Sequence, residues 1–346
     1  MGRINQQELA RMLQLSQTTV SRSLANHPAI NAETKAMVLE AAAKMGYSGR
    51  IKRNQNASGL NAGPMVWGVV ISIPKQFSGP SETFQQILRG IADRSSLQDS
   101  ILDVVFHEPG EKGTSRLTKR IRSAKWKGSV LIHPIEHGLA HEIAHQGACV
   151  SIIENYRHDL IDSIDVDQAE AIHALVGKLH EKGHRRIAFL TWTYHLPTPW
   201  VMHRFGSYVE ALYRCGLDFN PSHAINIRKC DRAEPGGCAE QAAGLIRDHG
   251  VTAVVCAADH QAYRLIADLE SMGFRIPDDV SITGFDGIPP VLVNRQVATV
   301  KVPYEELGRS AIHQLLRRLE QPTAPRRHIL VDGDLLEGDT IAPPRA

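Results

Sequence analysis

The chain has 346 residues, of which 42% are hydrophobic and 22% charged, with a net charge of +2 at neutral pH; this composition is ordinary for a folded protein of two or three domains. No apolar run approaches the ~18 residues of a membrane span, and the opening Met1-Gly2-Arg3-Ile4-Asn5 carries no secretory leader, so a cytoplasmic protein is expected. Five cysteines without a Cys-x-x-Cys pair fit reduced thiols, and no phosphate-cradling glycine motif supports nucleotide-cofactor chemistry.

Charge is unevenly spread. Residues 1–65 hold eight Lys/Arg against three Glu, a basic head on a mildly acidic remainder, which fits nucleic-acid binding by the head alone. Asn5 and Glu8 form a capping box that opens a first helix with Leu9, Ala10 and Leu13 on its apolar face. Ser16 caps a second helix whose Val20 and Leu24 face inward, and Asn31 caps a third, carrying Val38, Leu39 and Ala42 and stopping at Gly46. Three short capped helices joined by tight turns predict a helix-turn-helix domain over 1–47.

The second helix carries small polar groups where a surface helix usually carries Glu and Lys. Gln pairs with adenine edges, Arg with guanine or phosphate, and hydroxyls with phosphate oxygens. Ser16, Gln17, Thr18, Thr19, Ser21 and Arg22 are therefore the candidate DNA-reading residues. Residues 48–65 are polar, basic and rich in Gly and Asn, as expected of a flexible tether.

From Met65 onward short apolar runs alternate with amphipathic stretches: Met65–Ile73, a helix around 82–98, Ile101–Phe106, Ser129–Ile132, Cys149–Ile153, Ile187–Leu190, Ala253–Cys256 and Val280–Gly284. Such alternation predicts parallel sheets covered on both faces, and nearly 280 residues of it predict two α/β subdomains. Ligands in these folds bind beyond the carboxyl ends of strands or between domains.

The run Leu15-Ser16-x-x-Thr19-Val20-Ser21-Arg22-x-Leu24, with Met45-Gly46-Tyr47, resembles the lactose/galactose repressor family of bacterial transcriptional regulators. Lys182-Gly183-His184-Arg185-Arg186-Ile187-Ala188, Ile276–Asp286 and Pro303-Tyr304-Glu305-Glu306-Leu307-Gly308 extend the resemblance over nearly the whole chain. It implies an all-α helix-turn-helix head on a periplasmic-binding-protein-like body, 66–346, of two parallel-sheet subdomains, about 66–165 with 291–321 and about 166–290 with 322–346. The crossovers are expected near Asp165, Pro290 and Gln321.

It also implies a homodimer that binds a pseudo-palindromic operator and a small effector, a sugar or sugar derivative, in the cleft between subdomains. The linker matches the family's hinge helix at Asn54, Ala57 and Leu60, with Leu60 the minor-groove wedge. The usual Pro is absent, and Gly59 weakens a helix by ~1 kcal/mol relative to Ala. Arg204 stands at the family's sugar-binding Arg and Asp259 at its hydroxyl-binding Asp, a position where Asp259 could equally cap a helix. Phe84, Trp192 and Asp286 complete the candidate effector set, with Phe77, Tyr194 and Trp200 as further aromatic candidates.

Two other readings compete. His141-Glu142-Ile143-Ala144-His145 fits the H-E-x-x-H pattern of zinc hydrolases, but it is placed on a short helix between strands and no third ligand follows at a metalloprotease spacing. A solute-binding protein would share the body but not the basic head. No cofactor and no catalytic residue is therefore assigned.

Overall fold

The computed structural model describes residues 5–45, 47, 64–72, 82–98, 100–154, 156, 159–193, 199–227, 235–290 and 292–345. The chain divides into two units, Met1–Asp165 with Tyr304–Leu330 and Val166–Pro303 with Val331–Ala346.

The first unit begins with α1 (Gln6–Met12), α2 (Gln17–Leu24) and α3 (Ala32–Lys44). The capping box forms as the sequence requires: Asn5 Oδ1 accepts from Glu8 N at 3.0 Å while Glu8 Oε2 accepts from Asn5 N at 2.8 Å. Leu9, Val20 and Val38 are fully buried and meet at the centre of the three helices.

The larger part of this unit contains β1 (Met65–Ser72), α4 (Glu82–Ser95), β2 (Ser100–His107), α5 (Glu111–Ala124), β3 (Gly128–Ile132), α6 (His137–Ala144), β4 (Ala148–Ile152) and β5 (Ile161–Val166). The chain returns to it with α11 (Tyr304–Glu320) and β11 (His328–Val331), giving a sheet in the order β11-β5-β4-β3-β1-β2. β1 to β5 pair in parallel, and β3 and β4 are buried along their whole length, as strands covered on both faces must be. α4 and α11 cross at Gly90 and Gly308: a Cβ at Gly90 would overlap the Glu305 carbonyl, and one at Gly308 the Ile87 carbonyl.

The head packs on the rest of this unit through α3, which lies on α4 and β2; residues 48–63 of the expected tether lie outside the described residues. Asn26, in the turn after α2, is 4% exposed and donates from Nδ2 to Ser95 Oγ at 3.0 Å. Gln85 Nε2 donates to Glu40 Oε2 at 2.8 Å, and the Lys44 ammonium lies 5.7 Å from the Phe106 ring centre. These contacts join residues far apart in sequence, so no local pattern announced them.

The second unit contains α7 (Gln168–Glu181), β6 (Ile187–Leu190), α8 (Pro199–Arg214), β7 (Ala224–Ile225), α9 (Pro235–His249), β8 (Ala253–Cys256), α10 (Asp259–Ser271) and β9 (Ser281–Thr283). Its sheet runs β7-β6-β8-β9, all parallel, and β10 (Thr299–Lys301) pairs antiparallel with β12 (Asp334–Leu336).

The later crossovers differ from the expected Pro290 and Gln321, falling at 303–304 and 330–331. The reason is strand pairing. β10 is tied to β12 and, through the Asp286–Lys301 bridge, to the loop after β9, so the chain leaves the second unit only after Pro303. β11 belongs to the first unit's sheet, which Ser163 N donating to Arg327 O at 2.9 Å secures.

Candidate functional site

In the head, Ser16 Oγ accepts from Thr19 N at 3.0 Å and contacts Thr19 Oγ1 at 2.8 Å. These two groups therefore cap α2 at its N-terminal end. Gln17, Thr18, Ser21 and Arg22 are exposed on α2, and among the described residues no ion pair engages Arg22. An N-terminal helix end with short polar side chains and an unpaired guanidinium suits a duplex groove. Asn54, Ala57 and Leu60 lie outside the described residues.

In the second unit the carboxyl ends of β6, β8 and β9 gather a polar centre around Arg204, which α8 carries. Arg204 is 4% exposed. Its Nε donates to Gln168 Oε1 at 3.1 Å and its Nη1 to the Ala257 carbonyl at 2.5 Å. Its Nη2 lies 3.3 Å from Asp286 Oδ1. The guanidinium also rests against the Phe285 ring at 3.6 Å and the Trp200 ring at 4.6 Å. The guanidinium is thus fixed in position and direction, a donor group set rigidly beside a carboxylate.

Asp259 is wholly buried at the first position of α10, and Ala258 is the N-cap residue. Its Oδ2 accepts from Gly287 N at 2.7 Å and Ile288 N at 2.8 Å. Through Oδ2 it therefore fastens the loop that carries Asp286. Burial, reinforced by Asp286, pushes its carboxyl up to about 7. Gly284 has to lack a side chain here, because a Cβ would strike Asp259 Oδ1. Trp192 is half-buried after β6 and meets exposed His260 edge-on at 4.8 Å. The structure brings Arg204, Asp286 and Trp200 together and sets Asp259 behind them.

Phe84 lies in the first unit, 5% exposed, with its ring edge-on to His133 at 5.0 Å. His133 follows β3 directly, and burial holds its imidazole well below the ordinary range, at about 4. His107, ending β2, places Nε2 3.1 Å from Glu136. Glu154 follows β4, where burial and then Asp165 push its carboxyl up to about 8. Sequence reading missed His107, Glu136 and Glu154, and took His133 only as part of the histidine stripe that leads into His141 and His145. A signal existed: a polar residue closing an apolar strand run sits at the carboxyl edge of a parallel sheet, where such folds bind ligands. Phe77 and Tyr194 lie outside the described residues.

The H-E-x-x-H motif falls on α6, with His145 at its C-cap. Glu142 is engaged by Arg122 Nη2 and Thr118 Oγ1, each at 3.3 Å. Among the described residues no three His, Cys, Asp or Glu side chains are placed to share a metal ion, and no helix is long and apolar enough to cross a membrane.

Residues 176–341 match the periplasmic binding protein-like domain. The chain is 27% identical to the HTH-type transcriptional repressor CytR of Escherichia coli (strain K12) over 97% of this chain and 96% of that protein. It is 23% identical to the HTH-type transcriptional regulator MalR of Streptomyces coelicolor, with the same coverage. Among solved structures, the cellobiose complex of the transcriptional regulator CelR superposes with a TM-score of 0.69 at 19% identity, covering 98% of this chain and all of that one. The lac repressor dimer bound to operator and the anti-inducer ONPF superposes with a TM-score of 0.64 at 18% identity, covering 99% of this chain and 100% of that one.

Proposed function

We propose that this chain is a helix-turn-helix transcriptional regulator of the lactose/galactose repressor type, repressing transcription as a homodimer whose hold on operator DNA is set by a sugar-like effector. α2 enters the major groove, with Gln17 and Ser21 at base edges and Arg22 at a base or phosphate. Two chains present two such helices to the two half-sites of a pseudo-palindrome, matching protein symmetry to DNA symmetry.

The effector is held at the carboxyl edge of the second unit's sheet by Arg204 and Asp286, with Trp200 and Trp192 offering ring faces. The observation that carries this reading is the buried, bracketed Arg204 guanidinium, whose neighbours include the half-buried Asp286. A fixed donor fork beside a carboxylate is matched to a ligand with several hydroxyls. The relatives' names include a repressor, and one structural neighbour holds cellobiose, which supports a sugar-like ligand here. A coupling of ~1–3 kcal/mol between the two sites gives a ~5–150-fold change in DNA affinity.

The test is a thermal-shift screen of the full chain against neutral sugars and sugar acids, since a ligand that binds only the folded state raises Tm. Duplex affinity is then measured with and without each stabilising compound. A compound that raises Tm and changes duplex affinity supports the proposal. A Tm response that is unaltered by Arg204→Ala overturns the assignment of the site.

A further inference from the structure

We propose that the exposed cationic face of α5, formed by Lys112, Arg116 and Lys119, is a second duplex-binding surface that grips phosphates beside the α2 reading face. This rests on the DNA-binding reading above and extends it from the head to the body of the first unit.

The charge distribution singles out this helix. Residues 111–127 hold seven Lys/Arg and one acid, Glu111, in a chain whose total is only +2. The usual reading of a basic helix is a solvated face balanced by acids a turn away. Here the balance is partial: only Glu108 and Glu111, at the start of the helix, stand against the seven cations. Two cations are spent on the fold: Arg120 forks onto Asp103 at 2.7 and 3.0 Å, where Trp126 Nε1 also donates at 2.8 Å, and Arg122 reaches Glu142.

Lys112, Arg116 and Lys119 are exposed. Among the described residues no ion pair engages them. At spacings of four and three they share one face and repel one another, at a cost of a few tenths of a kcal/mol per pair. An anion laid along the face removes that cost.

Placement identifies the anion. α5 belongs to the same unit as the head. Arg120 and Asp103 line a hollow of about 490 Å³ whose other wall includes Gln17 and Ser21 of the reading helix. Arg120, one residue beyond Lys119, thus shares a hollow with α2, which sets α5 beside the reading helix on the same unit. The stripe from Lys112 to Lys119 is about 10 Å long at 1.5 Å per residue. A duplex carries one charge per ~1.7 Å of axis, so three cations over that length meet two or three phosphates.

The experiment compares the full chain with K112Q/R116Q/K119Q on an unrelated 30-base-pair duplex, reading fluorescence anisotropy across a salt series. Each phosphate contact contributes about 0.9 to the slope of log affinity against log salt. The slope is expected to fall by about 2–3 and low-salt affinity by tenfold or more, while preference for the operator persists. K112R/K119R, which keeps the charge, is expected to restore the slope.

An unchanged slope in the neutralised protein, with its Tm intact, overturns the proposal. So does loss of binding to phosphatidylserine vesicles with duplex binding unchanged, because the face would then belong to a membrane partner. Failure of the unsubstituted chain to bind any duplex defeats the underlying DNA reading instead, so the two failures are distinguishable.

Discussion

Asp286 stands 3.3 Å from Arg204 with its backbone at φ 125°, a region that side-chain-bearing residues rarely occupy. Holding a residue there costs of order 1–3 kcal/mol. The surroundings impose it: Asp286 N donates to Val300 O at 3.0 Å, Val302 N donates to Asp286 O at 3.2 Å, and Asp259 grips the next two amides. Strain over-determined in this way, beside a buried guanidinium, fits the effector-binding role proposed for Asp286.

Arg204→Ala is expected to abolish the ligand-induced rise in Tm and to leave ligand-free duplex affinity within about twofold. It also strips Asp286, the Ala257 carbonyl and Gln168 of their donor, so stability falls by about 2–4 kcal/mol. Urea midpoints report the second effect and the ligand titration the first. Arg204→Lys keeps the charge but not the fork, and is expected to recover stability better than ligand response.

Asp259→Asn carries a pH signature. The unfolded carboxyl titrates near 4, whereas the folded one is pushed up to about 7 by burial and then Asp286. Between those values the folded chain keeps a proton that the unfolded chain has lost, so the group's contribution to stability declines as pH rises through that window and is flat above it. The amide variant lacks this decline. It should gain on the unsubstituted protein by about 2–4 kcal/mol between pH 4 and 8, read as a difference in urea midpoints at the two ends. Parallel pH profiles would contradict the assignment.

Asp162 behaves oppositely. Burial works against its charge, but Arg318, the Gln314 amide and Arg327 N–H overcome it and hold the carboxyl below the ordinary range. Arg318 donates from Nη2 to Oδ1 and from Nε to Oδ2, the latter at 3.1 Å, and Gln314 donates at 2.6 Å. Its stabilisation is present above about pH 4 and is lost as pH falls through the depressed value. Asp162→Asn is expected to cost about 3–5 kcal/mol at neutral pH, because it leaves Arg318 buried with a weakened partner. The effect should shrink in acid denaturation below pH 4.

Gly90→Ala and Gly308→Ala each place a methyl group against main-chain carbonyls where α4 crosses α11. Backbone cannot swing aside like a side chain, so each is expected to lower the first unit's stability by about 1–3 kcal/mol or more. Their effects should be less than additive, since one helix separation relieves both overlaps. Denaturation midpoints of the two single variants and the double variant give the coupling.

The head was legible because its instructions are local: Asn5 with Glu8, Ser16 and Asn31 are read from spacing alone, and the strands from Val66 to Ile71 and Val254 to Cys256 from apolar runs. Arg204 and Asp286 were reached through the family resemblance, since 82 residues separate them. Nothing local told that Asp259 would turn inward to bind backbone amides, or that Asn26 would bury itself against Ser95. Those contacts are set by tertiary placement, to which periodicity is blind. The late crossovers were misplaced for the same reason: β10, β11 and β12 are short, and their partners lie elsewhere in the chain.

The return of residues 304–330 to the first unit has a consequence during synthesis. α11 fills its interior with Leu307, Ile312 and Leu315, and β11 closes its sheet. The amino-terminal portion therefore leaves the ribosome unable to complete its interior until about residue 330 has been translated. The intervening 138 residues of the second unit have by then already emerged. A premature stop anywhere before about residue 330 should produce not a shortened regulator but a nascent polypeptide with an unfinished amino-terminal core, a substrate for chaperones and proteases.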